Sequence, residues 1–179
     1  VAELATQTDA LRIREAVRAL VVTPDDHVLL VRFEFPTATI WAPPGGGLEP
    51  GEDHRAALRR ELAEEVGMTA PQIGPHVWNR LHVIPFVDGR WDGQRERYHL
   101  VRVPDRFEPT PQLSRRQLEA EYVFEIRWFS LDELDELDDS TPTEGGTARP
   151  THLRPGGFVT HLRSLLSDGP PDHPIDVAV

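Results

Sequence analysis

The sequence predicts an α/β sandwich. Apolar segments of strand length recur along the chain, and two or three stretches of helical periodicity lie between them. No internal repeat is found, which points away from a solenoid.

Taken in order, residues 14–22 (Arg-Glu-Ala-Val-Arg-Ala-Leu-Val-Val) read as a strand. Thr23-Pro24-Asp25-Asp26 is a turn signal, and 28–33 (Val-Leu-Leu-Val-Arg-Phe) is a second strand, so the pair forms a hairpin that Pro36 ends. Pro43-Pro44-Gly45-Gly46-Gly47 is a flexible loop. After Pro50-Gly51 a helix is read over 53–66, with Gly67 as its stop. Residues 77–87, rich in Val, Ile, Leu, Trp and Phe, are a strand; Asp88-Gly89 turns the chain, and 97–103 alternates as another. Residues 104–118 carry three prolines and read as irregular. Residues 122–129 are a strand, and Ser130 caps a short acidic helix through Leu137. Residues 138–157 are a Thr/Pro/Gly loop, and 158–167 fits a helix with Phe158, Leu162, Leu165 and Leu166 as its apolar face. The expected organisation is an N-terminal extension over 1–13, one domain over 14–168 and a Pro-rich tail over 169–179, whose Ile175 to Val179 could pair with a sheet edge.

Composition narrows the function. The 179 residues, 39% of them hydrophobic, suit one compact domain. No apolar run approaches the roughly 20 residues that cross a bilayer. The first residues lack the blocks of a signal peptide, and the absence of cysteine excludes thiolate chemistry and fits a reducing cytoplasm, so a cytoplasmic location is expected. The net charge of −11 argues against a phosphate-tracking nucleic-acid binder. An acidic protein that handles phosphates needs local cations, and a divalent metal supplies them. No His-x-x-x-His spacing, P-loop or Gly-x-Ser-x-Gly elbow occurs.

The chemistry lies between Gly46 and Met68. At 3.6 residues per turn, Glu61, Glu64 and Glu65 fall within an arc of about 100° on one helix face. Leu58, Leu62 and Val66 form a separate apolar stripe, so the helix docks through its leucines and presents three carboxylates together. Acidic helix faces are commonly only solvated. Here the crowding of three acids beside a glycine loop suits a hard divalent cation with oxygen ligands. Arg59 and Arg60 can neutralise some of the acids.

Gly46, Glu52, Arg60-Glu61, Leu62, Glu64-Glu65, Gly67 and Met68 match every specified position of the Nudix signature (Gly, five residues, Glu, seven residues, Arg-Glu, an apolar residue, any residue, Glu-Glu, any residue, Gly, an apolar residue). The chain therefore resembles the Nudix hydrolases over about residues 15–135. The resemblance implies an α/β/α sandwich around a mixed β-sheet, and a pyrophosphohydrolase that uses Mg2+ or Mn2+. It implies Glu61, Glu64 and Glu65 as metal-binding acids, with Glu52 in a supporting place among them. Arg60 is similar to the arginine that holds those acids, and Gly46 and Gly47 let the backbone approach the substrate.

The general base varies across the family. A signature glutamate such as Glu61 or Glu64 is one option, and Glu119 or Glu121, ahead of the 122–129 strand, and Glu96 are others. Arg80 and His82 share a strand face that could meet substrate; Arg32 and Arg95 could pair with phosphate. Trp41 and Trp78 fit either core packing or base stacking. The expected partner is a small nucleotide-like diphosphate, with no nucleic-acid polymer and no membrane, bound by a monomer or homodimer. Nucleoside triphosphates, dinucleoside polyphosphates and nucleoside diphosphate sugars all suit the signature. The competing reading is a non-catalytic Nudix-like module that senses a nucleotide, which the intact signature disfavours.

Overall fold

The structure, a computed structural model, describes residues 11–86, 88–138 and 150–179. In chain order the elements are β1 (Ile13–Val22), β2 (Val28–Glu34), β3 (Thr39–Ala42), α1 (His54–Glu61), β4 (His76–His82), β5 (Gly93–Arg102), α2 (Arg115–Ala120), β6 (Val123–Phe129), α3 (Leu131–Asp138), β7 (Thr151–Leu153), α4 (Phe158–Asp168) and β8 (Ile175–Asp176). The strands form one mixed sheet in the order β7-β3-β2-β1-β5-β4-β8, with β6 pairing β2 off that path.

Helices cover both faces of this sheet, as expected of the sandwich. Val17, Ala19, Val21, Leu29 and Val101 pack against Ala57, Leu58, Leu62 and Val66 of the α1 region. Leu20, Val22, Trp78, Tyr98 and Leu100 pack on the opposite face against Leu134 of α3 and Phe158, Leu162 and Leu165 of α4. Each such buried side chain contributes about 1.5–3 kcal/mol relative to exposure. Burial on both faces is why β1 and β2 read as continuous apolar runs and not as alternating strands.

The feature that builds the site is a parting of the sheet. β1 and β2 are joined by a tight turn, yet their ladder is confined to Val22 and Val28 beside it. Further along, β2 lies between β3 and β6, while β1 runs parallel to β5 from Ile13↔Gly93 to Val22↔Arg102. Backbone groups of β1 that lose β2 must find other partners. The proline-glycine loop supplies them. Val17 N donates to Gly46 O and Ala19 N to Pro44 O, both at 2.9 Å, and Leu48 N donates to Glu15 O at 3.1 Å.

Several elements differ from the sequence expectation. The helix read over 53–66 is α-helical only to Glu61, and Leu62–Val66 forms a π turn before Gly67 at φ 82. The strand read over 77–87 ends at His82, and its partner begins earlier, at Gly93, because β5 follows β1 from Ile13 onward. Residues 104–118 are not wholly irregular, since Ser114 and Gln117 form a capping box that starts α2. β3 and β7, of four and three residues, were too short to show a period. β7 falls in the expected 138–157 loop, of which 139–149 lie outside the described residues, as do residues 1–10 of the expected extension. Ser130 caps α3, its hydroxyl accepting from Glu133 N at 3.2 Å. The tail pairs with the edge of this chain's own sheet, β8 lying parallel to β4 with Trp78 opposite Ile175. No helix among the described residues is long and apolar enough to cross a membrane.

Candidate active site

Asp53 starts α1, its carboxylate accepting from Ala56 N at 2.8 Å. Two turns on, Arg60 becomes the hub of the site. Its Nε and Nη2 reach the two oxygens of Glu52, each at 2.9 Å. Nη2 also donates to Gly47 O at 2.9 Å, and Nη1 donates to Glu61 Oε1 at 2.9 Å and Glu64 Oε2 at 3.1 Å. One planar guanidinium thus ties the glycine loop, the loop before α1 and two helix acids together, a task a single ammonium cannot match. These bonds raise the Arg60 pKa, the Glu52 hydrogen bond foremost, and the same bond lowers that of Glu52.

The acids occupy two environments. Glu61 and Glu65 are buried, at 6% and 2% exposure, whereas Glu64 sits at the rim beside Arg60. Burial raises the Glu61 pKa against the pull of Arg60. Burial, then repulsion from Glu61, pushes the Glu65 carboxyl up to about 8, although Arg18 and the Gly45 N–H oppose this. That N–H reaches Glu65 Oε2 at 2.8 Å.

The glycines make the approach possible. Gly45 has φ +133, and a Cβ there would lie 2.2 Å from Val17 O. A Cβ on Gly46 would lie 2.5 Å from Glu61 Oε1. Gly47 lies under the Arg14 guanidinium.

The donors are hard carboxylate oxygens, and two of them are buried where charge is costly without a cation. Among the described residues, no three acidic or imidazole groups already converge closely enough to hold an ion. Arg60 and Gly45 engage the same oxygens instead. The residues fit a divalent cation in chemistry, and holding one requires those oxygens to turn from Arg60.

The structure brings further predicted residues to this centre. Glu121 follows α2 and precedes Tyr122, whose φ is 65. Its charge acts on Glu61, Glu65 and Arg14. Glu119 instead pairs with Arg115 at 2.7 Å in solvent. Glu96 is buried and fully engaged. It accepts from Arg18 at 2.9 Å and from Arg80, Gln94 and Tyr98, each at 2.8 Å. Burial pushes its pKa up, but the two arginines overcome this and hold it at about 2, which suits an anchor and not a base. Arg80 faces inward on β4, with its charge on Glu96. Trp41 and Trp78 are core residues. Arg32 pairs with Glu34 and Glu125, and Arg95 with Glu15.

Sequence reasoning missed Arg14, Arg18 and the N–H of Gly45. Arg18 donates to Gly45 O at 2.6 Å and to Glu96, bracing the loop against β5. Arg14 lies half-buried over Gly47, its guanidinium carbon 5.7 Å from the centre of the Phe86 ring. The available signal was an arginine alternation, Arg14 and Arg18, on one face of a strand otherwise committed to core.

Comparison with known proteins gives a consistent picture. A family model described as NUDIX domain matches residues 12–149. Nudix hydrolase 25 of Arabidopsis thaliana is 30% identical over 131 residues, which cover 66% of this chain and 74% of that protein. An RNA pyrophosphohydrolase of Rickettsia bellii (strain OSU 85-389) is 30% identical over 132 residues, 70% of this chain and 80% of the relative. The solved structure of the E. coli dihydroneopterin triphosphate pyrophosphohydrolase matches with a TM-score of 0.61 over 88% of this chain and 97% of that one. At 13% identity, that likeness concerns the fold alone.

Proposed function

This chain belongs to the Nudix family of pyrophosphohydrolases, and we propose that it cleaves the diphosphate linkage of a small nucleoside diphosphate-linked substrate by water attack at phosphorus. The observation that carries this reading is the Arg60 hub, which holds Glu52, Glu61, Glu64 and the Gly47 carbonyl around the buried Glu65.

Glu61 and Glu65, with Glu64 and Glu52 beside them, are the residues that would hold Mg2+ or Mn2+. When bound, such an ion offsets charge on the diphosphate oxygens and lowers the pKa of the attacking water. Arg60 positions the acids. Gly46 and Gly47 leave the entrance free of side chains. Arg14 offers guanidinium N–H groups to a diphosphate oxygen passing over Gly47. Glu121 accepts the proton of the attacking water. The water oxygen bonds to one phosphorus, the bridging P–O bond breaks, and the departing phosphate keeps the bridging oxygen, so two monophosphate groups result.

The relatives named RNA pyrophosphohydrolase favour a second reading, in which the diphosphate stands at the end of an RNA chain. The net charge of −11 opposes it, because a polymer backbone is held by cations along its length. A panel of nucleoside diphosphate-linked metabolites, nucleoside triphosphates and a 5′-triphosphorylated RNA, each with Mg2+ or Mn2+, separates the two. Metal-dependent monophosphate release from a small substrate is expected. Pyrophosphate release from the RNA alone would move the assignment to the polymer end, and nucleotide binding without turnover under either metal would make the chain a sensing module.

A further inference from the structure

A long unpaired sheet edge recruits another strand, so natural sheets keep their edges short or covered. The strand order here ends in β7 and β8, of three and two residues. β6 breaks that rule. It is seven residues long, and among the described residues it pairs only with β2. Among the described residues, no backbone hydrogen bond reaches β6 from outside the sheet. A groove of about 200 Å3 lies beside it, with Arg115, Leu118 and Glu119 of α2 on one wall and Phe124 and Ile126 on the other. Phe124 has no partner residue on β2, because the register shifts between Arg32 and Phe33, and its ring is 42% exposed.

The second observation concerns charge. A charged side chain on an edge strand ordinarily discourages pairing. β6 carries two exposed charges, Glu125 and Arg127, and they are of opposite sign. They stand symmetrically about Ile126. Read outward from that residue, Glu125 matches Arg127, Phe124 matches Trp128 and Val123 matches Phe129. The strand is therefore complementary to itself when turned end for end. Two antiparallel copies related by a two-fold axis at Ile126 set each Glu125 opposite Arg127 of the other copy, and the two Ile126 side chains opposite each other. Opposite charges and apolar pairs facing across an antiparallel ladder stabilise it, and a two-fold axis counts each unlike pair twice.

We propose that β6 is a dimerisation edge, which pairs antiparallel with β6 of a second copy about a two-fold axis at Ile126. The charge pairs set the register, and the exposed Phe124 ring gains Trp128 of the other copy as a neighbour. α2 has no buried residue, so the second copy also covers the helix that precedes Glu121. The inference does not depend on the reaction assigned to the site.

The test is sedimentation equilibrium of the full chain across a range of concentrations, in moderate salt to screen repulsion between two copies of net charge −11. A reversible monomer–dimer equilibrium is expected. Glu125→Arg and Arg127→Glu should each weaken it at least about 10-fold, since like charges then face each other twice. The double reversal should return to within about 3-fold of the parent, because opposite charges again face across the ladder. Contacts within one copy cannot give that recovery. Glu125 pairs with Arg32 and Arg127 with Glu133, and the double reversal leaves both of those pairs repulsive. Phe124→Asp, at an exposed position, is a third variant expected to weaken the dimer, and thermal melting checks that each variant folds. A chain that stays monomeric at every concentration overturns the proposal. So does a dimer that none of the three single variants weakens, and so does a loss that the double reversal fails to restore.

Discussion

Glu65 and Glu52 are both signature acids, but a hydrogen bond from Arg60 at one and burial at the other send their acidities in opposite directions. Glu52 lies in reach of solvent and Arg60, and its pKa falls. Glu65 is enclosed beside Glu61, and its pKa rises to about 8. The linkage has a definite sign. Between the ordinary carboxylate value and about 8, the folded chain retains a proton that the unfolded chain has released. In the metal-free protein this group therefore removes stability as pH rises through that window. Glu65→Gln abolishes the penalty while its amide oxygen still accepts from Gly45. The metal-free variant should melt above the parent at pH 8 and near it at pH 5, read by calorimetry. Its metal-dependent turnover should fall at least about 100-fold, the scale for removing a group that stabilises charge at the reacting centre. Equal melting at both pH values would show that the buried acid is not strained. Glu96 runs the other way, since its pKa of about 2 means that it contributes stability at neutral pH and loses it only in strong acid.

At the scale of elements, α2 is the weak part of the site. It has six residues, none of them buried, and its capping box stands in for a core contact. Its C-terminal end delivers Glu121, and Tyr122 at φ 65 turns the chain into β6. Glu121→Gln should lower kcat about 100-fold or more if it takes the water proton, with KM little changed. Ser114→Ala should cost about 1 kcal/mol within α2. Because α2 carries so little of the core, the urea midpoint should move only slightly while kcat drops measurably. An unchanged kcat in Glu121→Gln would transfer the base to a signature glutamate.

For the whole molecule, the tail does what its apolar end led us to expect and closes a sheet edge. Val177 is buried in the main core, and its N–H donates to Asn79 O at 2.8 Å. β8 covers the β4 edge, which would otherwise present unpaired backbone groups. Deletion of residues 175–179 should lower stability by about 1.5–3 kcal/mol for Val177 alone, and light scattering should report edge-to-edge association. Unchanged stability and a monodisperse sample would make the tail an ornament of the fold.

Local chemistry was legible in the linear chain because its signals act over one or two turns. The glycine loop, the helix after Pro50-Gly51 with Gly67 at its end, the leucine stripe of α1 and the spacing of Glu52, Arg60, Glu61, Glu64 and Glu65 all depend on neighbours within a few positions. Short β3 and β7 carry too few residues to show a period, and the apolar spacing that reads as one helix over 53–66 does not distinguish the π turn at Leu62–Val66 from α-helix. Which acids are buried, how Arg18 reaches Glu96 across 78 residues, and where Arg80 meets the same carboxylate depend on contacts between distant segments. Those contacts exist because β1 parts from β2 and takes the glycine loop and β5 as neighbours. A hydrogen-bond requirement of that kind is met in space, and no local pattern of residues records it.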